Sequence, residues 1–316
     1  MAVIEMIHEA VVDTREEEYS VLDVDGNRVK KTKTSFWASE SEVMAFDIYH
    51  RWMETIATHP MSEEKQVMLK MRKLTEEAIV SFLRRSGQLI EKFTNTERMF
   101  FEWGPHKVPV SGYPDLGLEL DGHPVIVEVK TYYGNRQHSD IRNGKVKTSY
   151  LKQLAMYLWH FKCDHGVLLM VNQGTGEMFE FELYRVDGKE YHFLCPDNTI
   201  EINLEEVFKR FETIWVENIQ KKVEPAPEFI YKYDIEKIKW DEVSADAIRK
   251  ARNGHAVIGD WQCKFSDFKG LIAERQGTCL GYNETELARI KELTAGYSAK
   301  RQKNTVRFDP TQIENL

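Results

Sequence analysis

Between residues 86 and 131 the sequence changes its period, and this change restricts the fold more than any other feature. Before it, from about Glu64 to Arg85, apolar residues recur at helical spacing until Ser86-Gly87 supplies a stop. After it, Arg98 to Trp103, Tyr113 to Leu120 and Pro124 to Thr131 read as strands, the last two joined at Asp121-Gly122. A polar connection, Tyr132 to Lys147, leads to a helix from about Ser149 to Phe161. Two further strands, Val167 to Val171 and Met178 to Val186, flank the loop Asn172-Gln173-Gly174-Thr175-Gly176. Helix, three strands, helix and strand in this order predict an α/β fold with a mixed central sheet flanked by helices.

Extensions flank this core. After a helical or frayed lead-in, Tyr19 to Val24 and Arg28 to Thr34 read as a hairpin turning at Asp25-Gly26-Asn27. Ser39 to Met53 reads as helical, with Val43, Phe46, Tyr49 and Met53 close to one face, and a polar stretch around His59-Pro60-Met61-Ser62 interrupts it. An amphipathic helix at Leu204 to Ile219 places Val207, Phe208, Phe211, Ile214 and Trp215 on its apolar side. Beyond a linker at Val223 to Pro227 come a short helix near Ala245 to Ala251, a helix from about Glu284 to Leu293, and a basic tail with Lys300, Arg301, Lys303 and Arg307. The resulting segments are 1–63, a hairpin and helical region; 64–222, the core; and 223–316, a helical region with the tail.

Composition excludes several classes. At 316 residues, with 42% hydrophobic and 30% charged residues, the chain is long enough for a core that needs no disulfide or structural metal. No apolar run approaches the roughly 18 residues that span a bilayer. The start, MAVIEMIHEAVVD, has acids where a signal peptide has basic residues, so a cytoplasmic protein without membrane attachment is expected. The four cysteines contain no CxxC pair, which argues against a disulfide scaffold. A formal net charge of -8 excludes a general basic coat, but not a nucleic-acid enzyme whose groove is locally basic.

The informative stretch is Gly112-Tyr113-Pro114-Asp115 followed by Glu128-Val129-Lys130. Side chains at i and i+2 of a strand share a face, so Glu128 and Lys130 point together while Val127 and Val129 point to the core. The preceding hairpin strand brings Asp115 alongside. Two carboxylates converging with a lysine form a hard oxygen site for Mg²⁺, with Mn²⁺ as an alternative. Such an ion lowers the pKa of a bound water and neutralises charge on a phosphoryl oxygen, while Lys130 orients the water or stabilises the developing charge. The preceding helix offers a third carboxylate: Glu76 shares a face with Ile79, Val80 and Leu83, whereas Glu77, the reserve candidate, faces solvent. On the following helix Gln153 and Tyr157, with Tyr150 one turn earlier, border the cleft and can contact phosphates or bases. Arg136, Arg142, Lys145 and Lys147 before that helix offer a basic landing for a DNA backbone.

Asp115 within Gly-Tyr-Pro-Asp, Glu128-Val129-Lys130-Thr131 and Gln153-x-x-x-Tyr157 together resemble the PD-(D/E)XK nuclease superfamily, in particular its RecB-like exonuclease branch, which includes CRISPR-associated RecB-like and phage DNA-processing nucleases. The resemblance covers roughly Leu74 to Val186 and implies a restriction-endonuclease-like core. It further implies a metal-dependent DNA exonuclease with Asp115, Glu128 and the Val129 carbonyl as metal ligands, Lys130 catalytic, and Glu76 as the acid of the first helix. DNA-replication or recombination proteins are the partners it implies. Many members of this branch hold a [4Fe-4S] cluster. Here Ser35 to Met53 resembles the N-terminal segment without its cysteine, and Trp261-Gln262-Cys263-Lys264-Phe265-Ser266 resembles the C-terminal one with Ser266 in a cysteine's place. No cluster is therefore expected, and Cys263 and Cys279 read as small buried apolar residues. The rival reading is a catalytically silent nuclease-fold module for nucleic-acid binding or assembly. The presence of Asp115, Glu128 and Lys130 together favours the enzyme.

Overall fold

The computed structural model describes residues 20–22, 28–30, 32–59, 62–85, 87, 89–90, 93, 98–255 and 259–297. The expected N-terminal lead-in, the turn at Asp25-Gly26-Asn27, the Arg136 side chain and the basic tail from Lys300 lie outside them. In chain order the strands are β1 (Ser20–Leu22), β2 (Arg28–Lys30), β3 (Phe36–Trp37), β4 (Met99–Trp103), β5 (Val108–Gly112), β6 (Leu116–Leu120), β7 (His123–Tyr132), β8 (His165–Asn172), β9 (Met178–Arg185), β10 (His192–Cys195) and β11 (Ile200–Asn203). The helices are α1 (Ala45–Trp52), α2 (Glu63–Arg84), α3 (Asn135–Arg142), α4 (Thr148–Phe161), α5 (Leu204–Thr213), α6 (Ala245–Arg252), α7 (Trp261–Phe265), α8 (Lys269–Arg275) and α9 (Glu284–Leu293). A π-helical turn, Ile214–Gln220, prolongs α5.

The chain divides into two compact units, one from Met1–Val43 and Met61–Val223, the other from Met44–Pro60 and Glu224–Leu316. The helix at Ala45–Trp52 belongs to the second unit.

The first unit is a mixed α/β structure. Its large sheet has the order β11-β10-β9-β8-β7-β6, and every neighbouring pair is antiparallel except the parallel pair β7 and β8. A smaller sheet, β3-β5-β4, is also mixed, and β1 pairs with β2. The β6–β7 turn forms at Asp121-Gly122, where both residues take positive φ (51° and 77°), the conformation a two-residue hairpin requires.

Both faces of β7 are covered, and its alternation sorts the cover. Val125, Val127 and Val129 join Val167, Leu169 and Val171 of β8 in one apolar cluster with Ile79 and Val80 of α2. The other face carries Ile126 and Glu128 beside Gly166 and Leu168, and α4 packs there. A Cβ on Gly166 would meet Leu154 and Leu158 at 3.0 Å, so the glycine sets how closely α4 approaches. Leu151, Leu154, Ala155 and Leu158 are fully buried at this contact. Burial of apolar area on both faces at about 25 cal/mol per Å² makes β7 the anchor on which the site residues are mounted.

The second unit is helical. Phe46 of α1 packs with Tyr231, Cys263, Phe268 and Ile272 in one cluster; Trp240, Val243, Ile248, Ala251, Tyr282 and Ile290 form another. Asp47, buried on α1, accepts a 2.7 Å hydrogen bond from Ser266 Oγ, and Glu228 accepts the Ala45 backbone N–H at 2.7 Å. Ser244 caps α6, and Asn283 caps α9 through a capping box with Glu286.

Candidate active site

The site opens where β6 parts from β7. The two strands pair only as far as Leu116 opposite Val127. Beyond that point the Val129 backbone has no β6 partner, and Asp115, the residue just before β6, fills the gap: its Oδ2 accepts the Val129 N–H at 2.8 Å. The N–H and C=O of one strand residue point to the same side, so the Val129 carbonyl faces this edge too.

Glu128 and Lys130 project together from β7, as their spacing requires, and Lys130 Nζ donates to Glu128 Oε1. Glu128 is 1% exposed, and its Oε2 has no hydrogen-bond partner. Thr131 Oγ1 is likewise buried without one. Glu76 lies on the half-buried side of α2, with Ile79 and Val80 on its apolar stripe, while Glu77 is exposed but lines the same cavity. A cavity of about 770 Å³ gathers Glu76, Asp115 and Lys130 with Arg72, Tyr113 and Tyr150 on its wall.

Electrostatics show what the cavity lacks. Burial, then the nearby Asp115, pushes Glu76 up to about 7. Burial, then Asp115, pushes Glu128 up to about 8 against the opposing pull of Lys130. Asp115 is also raised by burial, opposed by Lys130 and by the Val129 N–H. Burial works against the Lys130 ammonium, but the surrounding carboxylates outweigh it and hold the lysine charged. Glu76, Asp115 and Glu128 all act on the Lys130 ammonium, while Arg72 and Lys73 at the wall offset part of the Glu76 charge; a divalent cation would favour the ionised form of all three carboxylates.

The donor set fits such an ion. Glu128 Oε2 is a buried carboxyl oxygen without a hydrogen-bond partner, and Asp115, held against the Val129 N–H, is close enough to raise the Glu128 pKa. Mg²⁺ keeps several waters and needs only one or two carboxylates from the protein. The expected cage of three direct carboxylate ligands is not assembled: among the described residues no three His, Cys, Asp or Glu side chains stand close enough to hold a metal together. One oxygen of Asp115 and one of Glu128 are engaged by Val129 and Lys130, and Glu76 stands at the wall, within electrostatic reach of both Asp115 and Lys130.

The residues expected to touch DNA divide into three groups. Tyr150 lines the cavity, with Lys130 Nζ and Lys147 Nζ each 5.5 Å from its ring centroid. Gln153 and Tyr157 are buried, at 8% and 2% exposure, and Gln153 Nε2 donates to Tyr157 Oη at 3.0 Å. This burial corrects the direct DNA contact expected of them: the Tyr157 ring packs under Gly112, and its hydroxyl meets the Tyr113 backbone, so the pair supports the loop that carries Asp115. Lys145 is exposed and does not line the cavity. Arg72, Lys73 and Tyr113 line it and escaped the sequence reading. Their signal is the i, i+3, i+4, i+7 row Leu69, Arg72, Lys73, Glu76 on one side of α2, which becomes visible only once Glu76 is placed.

Of the cysteines, Cys263 is buried as expected. Cys279 is exposed, contrary to expectation, its Sγ 2.9 Å from the Gly281 carbonyl oxygen.

No family model and no curated protein matches the sequence. Among solved structures, the crystal structure of SSO0001 is similar with a TM-score of 0.49 and 12% identity, over 85% of this chain and 95% of that one. An alkaline exonuclease (LHK-Exo) from Laribacter hongkongensis is similar with a TM-score of 0.34 and 14% identity, over 60% of this chain and 90% of that one. LHK-Exo in complex with dAMP gives 0.33 and 15% over the same shares. No helix among the described residues is long and apolar enough to cross a membrane.

Proposed function

We propose that the first unit is a divalent-metal-dependent phosphodiesterase that degrades DNA, working as an exonuclease with Mg²⁺ or Mn²⁺. The observation that carries this reading is a cavity lined by Asp115 and Lys130, with Lys130 bonded to the buried Glu128, whose Oε2 has no hydrogen-bond partner. Exonuclease action rests on the motif resemblance of Asp115, Glu128-Val129-Lys130 and Gln153-x-x-x-Tyr157.

Asp115, Glu128 and the Val129 carbonyl would hold the ion, which when bound supplies charge for a phosphoryl oxygen and lowers the pKa of water. The chain's own groups do the rest. Lys130 remains protonated, so it donates to a developing oxyanion and does not act as a base. Glu76, poised at about 7 at the wall, accepts a hydrogen bond from a water and orients it. Arg72 and Lys73 hold phosphates of the strand entering the cavity, and Tyr113, half exposed, and Tyr150 offer ring faces to its bases.

The chain works without an iron–sulfur cluster in this reading. What supports it is that Ser266, where a ligand cysteine would stand, is hydrogen-bonded to Asp47, and that Cys263 is packed among Phe46, Phe268 and Ile272. Burial pushes the Cys263 thiol up to about 12, which opposes formation of the thiolate a metal requires.

The deciding experiment incubates labelled linear, circular and single-stranded DNA with the protein in Mg²⁺, Mn²⁺ or EDTA. Loss of linear DNA with circular DNA intact, abolished by EDTA, is the expected result. Cleavage that persists in EDTA, or an inert protein in either metal, would overturn the assignment.

A further inference from the structure

The second unit contains a cavity of its own, about 650 Å³, whose ionisable lining is mainly cationic. Lys250 from α6, Lys264 from α7 and Lys269 at the start of α8 contribute three ammonium groups, and His255 a fourth basic side chain. Among the described lining residues the carboxylate is Asp246, exposed and paired both with Lys250, 2.8 Å from its Oδ2, and with Arg249 at its Oδ1, which leaves Lys264 and Lys269 as the cations not committed to it. In a chain of net charge -8, this is a local reversal of sign.

The wall is built rather than incidental. Gly254 and Gly281 cross so closely that a Cβ on Gly281 would lie 2.8 Å from the Gly254 carbonyl oxygen. Tyr282 N–H donates to that same oxygen at 3.0 Å, and His255 bridges to Gly281, so two backbone segments are pinned together at the cavity. Ser244 and Ala247 bring the first turn of α6 to the lining, where the helix dipole also favours an anion. Burial holds the Lys264 ammonium below its ordinary pKa, against the pull of Asp260 and Cys263. A partly desolvated cation lining an open cavity gains when an anion enters.

We propose that this cavity is a phosphoester-binding site, which takes a nucleotide-sized ligand through Lys250, Lys264 and Lys269. Compact ammonium charges on flexible stems suit the several oxygens of a phosphate group, and the volume lies in the range of small-ligand pockets. The phosphate belongs either to a free nucleoside phosphate or to a nucleic-acid strand, and the test separates these sources. The inference does not depend on the hydrolytic reading of the first unit.

Isothermal titration of the full-length protein in EDTA at low salt, with ADP in one arm and a 5′-phosphorylated single-stranded hexanucleotide in the other, tests it. Binding of ADP assigns a free nucleotide; binding of the hexanucleotide with ADP inert assigns a strand. In either case Lys264→Met/Lys269→Met should weaken binding about tenfold or more, and Lys250→Ala, at an exposed position, should weaken it without altering the melting temperature. No heat in either arm at millimolar ligand overturns the proposal, and so does unchanged affinity in a folded Lys250→Ala protein together with the double variant.

Discussion

Asp115 Oδ2 and the Val129 backbone N–H meet at 2.8 Å across the point where β6 and β7 separate. One carboxylate thereby ends a strand pairing and fixes the edge at which the Val129 carbonyl is presented. The same side chain serves the ladder and the site, so substitutions at Asp115 should separate two effects.

Asp115→Asn keeps an acceptor oxygen for Val129 and removes the charge. It is expected to fold with nearly wild-type stability and to lose metal-dependent cleavage. Asp115→Ala also leaves a buried N–H unsatisfied, which costs about 1–3 kcal/mol. Urea denaturation alongside cleavage of linear DNA checks both; equal stability of the two variants would show that the hydrogen bond to Val129 contributes nothing.

Lys130→Ala removes the ammonium that faces three carboxylates. Cleavage should fall by about 10²–10³-fold, the usual loss for one preorganised donor to a developing oxyanion. Lys130→Arg retains charge but replaces a compact donor with a planar fork and should recover only part of the rate. Single-turnover rates at saturating Mg²⁺ are the measurement, and a wild-type rate in Lys130→Ala would remove the lysine from the chemistry.

Much of this site was legible because strand alternation is strict. Glu128 and Lys130 had to share a face, and the Asp121-Gly122 turn fixed which residues of β6 could lie beside β7. Helix α9 was legible for a similar local reason, its Asn283 cap standing three residues before Glu286. What was hidden depends on packing across the chain. The polar run after Tyr132 holds the short helix α3, tied locally by His138, 3.2 Å from Tyr132 Oη, and at longer range by the Asn172 amide, 3.4 Å from the same ring. Strands β10 and β11 are four residues each and owe their existence to pairing, β10 with β9 and β11 with β10. Gln153 and Tyr157 have the same i, i+4 spacing whether they border a groove or support a loop; only the position of Gly112 decides between them. The assignment of Ala45–Trp52 to the C-terminal unit rests on contacts such as Asp47 to Ser266, 219 residues apart.

Divalent metal should stabilise the protein in a pH-dependent way. Glu76 and Glu128, at about 7 and about 8 without metal, must release protons to face a cation, so affinity rises with pH across that range. The melting temperature should therefore rise more on adding Mn²⁺ at pH 8 than at pH 6, by up to about 2.7 kcal/mol of stabilisation at a hundred times Kd. Differential scanning fluorimetry reads this, and Glu128→Gln should reduce the shift sharply. A shift equal at both pH values would mean that the ion does not bind at these carboxylates.

Gly112→Ala tests the support beneath the Asp115 loop. A Cβ there would stand 2.8 Å from both Cε1 and Oη of Tyr157, a buried side chain with little room to withdraw. Overpacking of this kind costs about 1–3 kcal/mol, and displacement of the loop should lower cleavage as well. Denaturation midpoints and initial rates that both match wild type would show that Tyr157 does not hold the loop.

The Asp47–Ser266 hydrogen bond gives the second unit a pH signature of its own. Burial raises Asp47 from 3.8 to about 6, with the Ser266 hydroxyl and Arg51 opposing the rise. The folded state therefore holds a proton that the unfolded state has released between those values. The sign follows: this group makes stability fall as pH rises from about 4 to about 6, and adds no further dependence above that. Asp47→Asn should remove this component, leaving a flatter profile than wild type in that window. Ser266→Ala takes away a donor to the ionised carboxylate, so it should raise the Asp47 pKa further and cost about 1–3 kcal/mol at pH 7, but less at pH 5, where the carboxyl is already largely protonated. Guanidinium titrations of the three proteins at pH 5 and pH 7 decide it: a Ser266→Ala penalty larger at pH 5 than at pH 7 would show that the hydroxyl does not stabilise the Asp47 anion.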